Sequence, residues 1–254
     1  MAVCLVLSAL LCIGVLAGEN QKTYSWYVKR NAEHKQPVPD AEQRMIEKYN
    51  GYYVDKKHGD VAQEKMLYLT FDAGYENGNI AKILDVLKEE DVSAAFFVLK
   101  NMITKEGDLV KRMVQDGHLV CNHTMSHKDT TKMSEQDFCA ELEGLASIYK
   151  DRVGEDMPMY YRPPEGKYNE KTLQYASKMG YKTVFWSMAY ADWDNEKQPK
   201  AEDAMNILLK NTHNGAVILL HPTSKTNAEI LSDLIKTWKA QGYSFGTLDD
   251  LTNE

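Results

Sequence analysis

Short apolar runs of strand length alternate with helical periodicity along most of this chain. Apolar runs cover residues 66–71, 94–98, 119–121, 159–161, 182–186 and 216–220, and a last one begins near Tyr243. Residues 78–90 place Ile80, Ile83, Leu84 and Leu87 on one face, the spacing of a helix packed on a sheet. Residues 108–116 predict a short helix ended by Gly117, a position that suits a left-handed cap. Ser134 opens a helix through Tyr149, with Asp137 as a capping partner and Phe138, Leu142, Leu145 and Ile148 on its apolar face. Asn169 caps a helix that ends before Gly180, and further helices are expected over 201–211 and 227–240. About seven strands result, each but the last followed by a helix, which implies parallel strands with right-handed crossovers. An open doubly wound sheet competes with a barrel, but a nucleotide-binding version is disfavoured. The turn Asp72-Ala73-Gly74-Tyr75 is acidic where a phosphate cradle needs bare amides.

Polar side chains fall at or just past the ends of these runs. Asp72 ends the first, His123 and His127 follow 119–121, and Arg162 closes 159–161. Asp192 comes shortly after 182–186, and His221 directly follows 216–220. In strand–helix barrels the C-terminal rim is where reaction centres are built.

The chain has 254 residues, enough for one large α/β domain (65–254) preceded by an extension (18–64). The extension carries Tyr24, Trp26 and Tyr27, then Pro37 and Pro39, and a short helix is expected over 41–49. It reads as an arm that packs its aromatics on the main domain. The formal net charge of −7 excludes the basic footprint that nucleic acid demands. Residues 2–17 are apolar, and Val15-Leu16-Ala17 offers small residues before Gly18, the pattern of a cleaved signal peptide. The expectation is a protein secreted or held at the cell envelope, acting as a monomer. The alternatives are an uncleaved anchor or, because no basic residue precedes the run, a true start further upstream. Of the cysteines, Cys121 and Cys139 lie beyond that segment and read as buried small apolar residues.

His123 and His127 form an H-x-x-x-H pair, but Thr124 stands where a zinc protease needs its glutamate. The pair does not stand alone. Thr70-Phe71-Asp72-Ala73-Gly74-Tyr75, the histidine pair, Arg162-Pro163-Pro164-Glu165-Gly166-Lys167-Tyr168, Trp186-Ser187 with Asp192-Trp193, and Leu219-Leu220-His221 occur in that order. Together they resemble the five motifs of the polysaccharide deacetylases, the NodB homology domain or carbohydrate esterase family 4. The likeness runs from about Lys65 to the C-terminus. Tyr75-Glu76-Asn77-Gly78, Phe185-Trp186-Ser187-Met188-Ala189 and the aromatic extension look most like the sporulation-type muramic acid de-N-acetylases that make muramic δ-lactam in spore cortex.

The resemblance implies a distorted (β/α) barrel of about seven strands that removes acetyl from an N-acetylated sugar of peptidoglycan glycan strands. By motif, Asp72 is the general base, Arg162 its orienting partner, and His221 the general acid. Asp192 holds Arg162 or tunes His221. His123 and His127 hold a divalent metal, usually zinc. Tyr75, Trp193 and Leu220 line the substrate pocket, the last two around the acetyl methyl, and the Glu165 amide faces the oxyanion. Lys167 is the basic candidate for a muramyl lactyl carboxylate. An amide nitrogen leaves only when protonated, so a base and an acid are both required.

Three departures from the family pattern stand out. Ala73 replaces an aspartate metal ligand, so two imidazoles and water remain and metal should be held weakly, with Glu76 the nearby replacement donor. Ala189 stands where many members carry another aspartate, and Pro222 follows His221. The competing readings are a deacetylase of N-acetylglucosamine polymers or acetyl-xylan, and a glycan-binding pseudoenzyme.

Overall fold

The computed structural model describes residues 21–30 and 33–253. The expected signal segment 2–17 therefore lies outside the described residues. Strands β1 (Tyr24–Ser25) and β2 (Gly51–Tyr52) flank a 3-10 helix, Ala41–Tyr49. Next come β3 (Lys65–Ala73), α1 (Ile80–Glu89), β4 (Ala95–Val98), α2 (Lys100–Lys105), α3 (Gly107–Gln115) and β5 (Leu119–Asn122). The middle of the chain forms α4 (Glu135–Val153), β6 (Tyr160–Tyr161), β7 (Lys167–Tyr168), α5 (Glu170–Lys178), β8 (Lys182–Val184) and β9 (Met188–Ala189). It ends in α6 (Ala201–Asn211), β10 (Ala216–Leu220), α7 (Lys225–Ala240), β11 (Tyr243–Phe245) and α8 (Leu248–Thr252).

Eight strands follow the order β2-β8-β6-β5-β4-β3-β10-β9, and β11 adds to β3. Every pairing between these strands is parallel. Leu67 is in register with both Ala216 and Phe245, so β11 shares the edge of β3 that β4 occupies further along. The expected strands are all present. Strands β1, β2, β7 and β9 are additional, and at two residues each they are too short to carry a periodic signal. Helices α2 and α8, of six and five residues, also went unanticipated.

Strand alternation divides the side chains between two layers. Leu67, Leu69, Phe71, Phe96, Ile218 and Leu220 pack under the helices with Ile83, Leu87 and Leu234. Tyr68, Phe97, Cys121, Tyr160, Val184 and Val217 fill the inside of the curled sheet. Helix α8 adds Leu248 and Leu251 to that interior, and the Tyr160 hydroxyl donates to Asp249 Oδ1 at 2.6 Å. The end of the sheet away from the strand C-termini is thereby filled, which leaves the other end for a site.

The extension joins this framework. Trp26 packs on Tyr53 and Phe185, with ring centroids 5.2 and 4.6 Å apart. Strand β1 pairs antiparallel with β7, and β2 lies beside β8. Beyond β2, Val54 bridges to Ala216, and the Asp55 N–H donates to the Gly215 carbonyl at 2.8 Å. Gly215 has φ +73°, and a Cβ there would lie 2.3 Å from the Asp55 oxygen, so only glycine allows the approach. No helix among the described residues is long and apolar enough to cross a membrane.

Candidate active site

The C-terminal ends of β3, β5, β6 and β10 bring Asp72, His123, Arg162 and His221 together. Arg162 is fully buried and each of its three nitrogens donates a hydrogen bond. Nε donates to the Val184 carbonyl at 2.9 Å, and Nη2 donates to Thr70 Oγ1 at 2.9 Å and to the Phe185 carbonyl at 3.3 Å. Its plane lies over Phe97, 4.1 Å from the ring centroid. Nη1 is left to donate to Asp72 Oδ1 at 2.8 Å. A guanidinium held at so many points presents a fixed positive edge. Burial pushes the Asp72 pKa up, but the charges of Arg162, His123 and His221 outweigh it and hold the carboxyl below its usual range. Asp72 is therefore ionised near neutral pH.

Asp192 resolves in favour of His221. One carboxylate oxygen accepts from His221 Nδ1 at 2.7 Å, and the other accepts from the His221 backbone N–H at 2.7 Å. Asn227 Nδ2 donates to the same Asp192 Oδ2 at 2.7 Å and to the His221 carbonyl at 3.0 Å. Tyr190 Oη in turn donates to Asn227 Oδ1. Asp192 makes no hydrogen bond to Arg162 among the described residues. Burial opposes the charge on His221, but the hydrogen bond and charge of Asp192, with help from Asp72, raise its pKa above 6.5. With Nδ1 occupied, Nε2 carries the exchangeable proton toward the cavity.

The histidine pair sits on a strained turn. Thr124 and His127 both lie in the left-handed region, with φ of 73° and 55°. That conformation is an outlier for a β-branched threonine and marks a segment over-determined by its surroundings. The Asn122 side chain accepts from the Thr124 N–H at 2.9 Å, and Thr124 Oγ1 accepts from the His127 N–H at 3.0 Å. The two imidazole centroids end 5.0 Å apart. His123 Nδ1 faces the Arg162 carbonyl at 2.8 Å, which places its proton there and leaves Nε2 as the free lone pair, 3.6 Å from Asp72 Oδ2. Burial lowers the His123 pKa to about 4 against the pull of Asp72, so the ring is neutral at pH 7, as a ligand must be.

This donor set suits a weakly held divalent ion. The two imidazoles meet edge-on, and among the described residues no group of three or more His, Cys, Asp or Glu side chains is arranged to hold a metal. A tetrahedral catalytic site has three protein ligands. Glu76 does not supply the third. Its Oε1 accepts from the backbone N–H groups of Asn77 at 2.7 Å and Asn79 at 2.9 Å, capping α1. Cys121 is buried inside the sheet with its thiol pKa pushed up by burial, so it is a packing residue.

A cavity of about 720 Å³ opens over these groups. Asp72, His127, Glu165, Trp193 and His221 line it, together with Trp186, Leu219 and, from the extension, Trp26 and Arg30. Three expected pocket residues fall elsewhere. Leu220 is buried under the helices and Leu219 takes the cavity wall, because strand alternation puts Leu219 on the same side as His221. Lys167 is off the lining. It neighbours the inward Tyr168 on β7 and points its Nζ at Glu165 Oε2, 2.5 Å away. Tyr75 is also off the lining, half exposed, with its hydroxyl accepting from Asn195 Nδ2 at 2.6 Å. Trp186 is half-buried on the cavity wall. Thr70, Asn227 and Arg30 are new. The parity of Thr70 with Asp72 was readable, whereas Asn227 and Arg30 carry no local signal.

A family model described as polysaccharide deacetylase matches residues 59–184. Peptidoglycan-N-acetylmuramic acid deacetylase PdaA of Bacillus subtilis is 40% identical over 91% of this chain and 86% of its own length. The solved structure of Bacillus subtilis PdaA, a family 4 carbohydrate esterase, superposes with a TM-score of 0.85 at 37% identity, covering 91% of this chain and 97% of that one. A family 4 carbohydrate esterase from Bacillus anthracis superposes with a TM-score of 0.74 at 36% identity, over 91% and 96% of the two chains. Likeness over nine-tenths of the length, with the curled parallel sheet in common, establishes that this chain belongs to the polysaccharide deacetylase family.

Proposed function

We propose that the protein removes the N-acetyl group from N-acetylmuramic acid of peptidoglycan, outside the cytoplasmic membrane and toward muramic δ-lactam. The observation that carries this reading is the pairing of a fixed base with a fixed acid on one cavity. Asp72 is locked by Arg162, and His221 is locked by Asp192. The activity named for the Bacillus subtilis relative supports the choice of sugar.

Ionised Asp72 takes a proton from water, and the water oxygen attacks the amide carbonyl. Negative charge develops on the carbonyl oxygen, and the Glu165 amide is the protein donor assigned to it. His221 Nε2 then delivers its proton to the amide nitrogen. The carbon–nitrogen bond breaks, releasing acetate and the free amine. Arg162 keeps Asp72 ionised and aimed, and Asp192 stabilises the charge on His221. His123 and His127 hold a divalent cation, zinc, which supplies Lewis acidity when bound. Trp193 and Leu219 wall the cavity around the acetyl methyl.

Mass spectrometry of defined muropeptides incubated with purified protein and zinc tests the reading. Loss of acetyl from muramic acid residues is expected. Intact muramic acid with deacetylated glucosamine would move the protein to the glucosamine class, and bound but unaltered glycan would make it a pseudoenzyme.

A further inference from the structure

The charged groups on the cavity wall are mostly paired. Asp72 faces Arg162 at 2.8 Å, Glu165 faces Lys167 at 2.5 Å, and Lys35 contacts Glu33. Arg30 is different. It enters the same cavity from the extension, it is exposed, and its Nη2 donates to the backbone carbonyl of Ala189. Among the described residues no carboxylate faces its guanidinium. Ala189, whose carbonyl anchors Arg30, contributes only a methyl group and no charge.

The placement fits one kind of substrate. Ala189 is in register with Leu219, and His221 lies two residues further along the same strand. With about 3.3 Å per residue and about 4.8 Å between strands, the Ala189 and His221 backbones are roughly 8 Å apart. On a 2-acetamido sugar the substituent at C3 is the direct neighbour of the amide at C2. A carboxylate carried on C3 therefore lies close to the scissile amide, within the span between His221 and an arginine anchored at Ala189. The planar guanidinium also matches a carboxylate in bidentate fashion. We infer that Arg30 is a specificity-determining residue that binds a carboxylate on the sugar substituent beside the N-acetyl group. Its occupant is the lactyl carboxylate of a muramic acid without stem peptide, a step that rests on the muramyl reading above. Lys167, held by Glu165 and off the cavity lining, does not compete for this role.

The test compares kcat/KM for stem-free muramyl glycan strands and for chitin oligomers, using the full chain and three variants. Arg30→Ala should lower the muramyl-to-chitin ratio about ten-fold or more, mainly through KM for the muramyl strands, as loss of a charge-assisted contact predicts. Arg30→Lys should recover part of the ratio, because charge returns without the fork. Ala189→Asp should lower the ratio with Arg30 still present. The wild-type preference should also shrink as salt rises from 0.05 to about 0.5 M, as the screening length shortens. An unchanged ratio in Arg30→Ala, with the wild type still favouring muramyl strands, overturns the Arg30 assignment and leaves the muramyl reading standing. A wild type that favours chitin oligomers overturns both.

Discussion

Asp192 accepts from His221 twice, at Nδ1 and at the backbone N–H, each at 2.7 Å. The imidazole is thereby fixed in both tautomer and orientation. Its raised pKa means that the protonated form is present at low pH and is lost as pH rises through the folded-state value, which lies above 6.5. Asp192→Asn removes the charge that outweighs burial. The basic limb of the kcat/KM profile should move to lower pH, with activity near pH 7.5 down about 10²-fold, in the range of general acid catalysis. A pH–rate series on both proteins checks it, and superimposable basic limbs would refute the acid role of His221.

The same pair should appear in stability. A histidine whose pKa is raised on folding stabilises fully below its unfolded value near 6.5 and loses that contribution as pH rises through the folded value. Denaturant titrations at pH 6 and pH 9 should show a fall in stability across this window that is smaller in Asp192→Asn than in the wild type.

Asp72→Asn should abolish acetate release and also weaken the fold. Arg162 is fully buried, and Asp72 is its carboxylate partner. Leaving such a cation unpaired costs about 3–5 kcal/mol. His221→Ala should abolish activity with a smaller loss of stability, since His221 is less buried. Chemical denaturation alongside acetate assays separates the two. Equal destabilisation would contradict the assignment of Asp72 and Arg162 as one buried unit.

Asn227 should behave as a positioning residue. Its amide bridges Asp192 and the His221 carbonyl. Asn227→Ala should lower kcat by roughly 5–100-fold, matching the loss of about 1–3 kcal/mol from a buried network, with little change in KM. A rise in KM at constant kcat would place Asn227 on substrate instead.

Ala73 is fully buried, so a carboxylate introduced there would be desolvated. Ala73→Asp should lower the melting temperature in chelator, and zinc should raise it by more than it raises the wild type. Binding measured by calorimetry should tighten by about 10–100-fold, the scale on which changes around a site alter metal affinity. An equal zinc shift in both proteins would show that His123 and His127 do not share a metal with this position.

The local pattern of this chain determined much of the outcome. An apolar run followed at once by Asp72, His123, Arg162 or His221 is a signal held within a few residues, and it specified both the strands and the rim on which these groups meet. Helix faces such as Ile80, Ile83, Leu84 and Leu87 were legible for the same reason, since periodicity reports the neighbouring layer directly. Partner choice was not local. Arg162 reaches Asp72 across 90 residues of sequence, and Asp192 reaches His221 across 29, so distances set by packing decided between the two roles open to Asp192. Leu219 and Leu220 are chemically identical neighbours, and only the phase of the strand settled which one faces the cavity. The left-handed turns at Thr124 and His127 run against intrinsic preference and exist because surrounding hydrogen bonds hold them. Arg30 shows the limit most plainly: nothing in its neighbours along the chain marks it, and it joins the cavity because Trp26 packs on Phe185 and β1 pairs with β7.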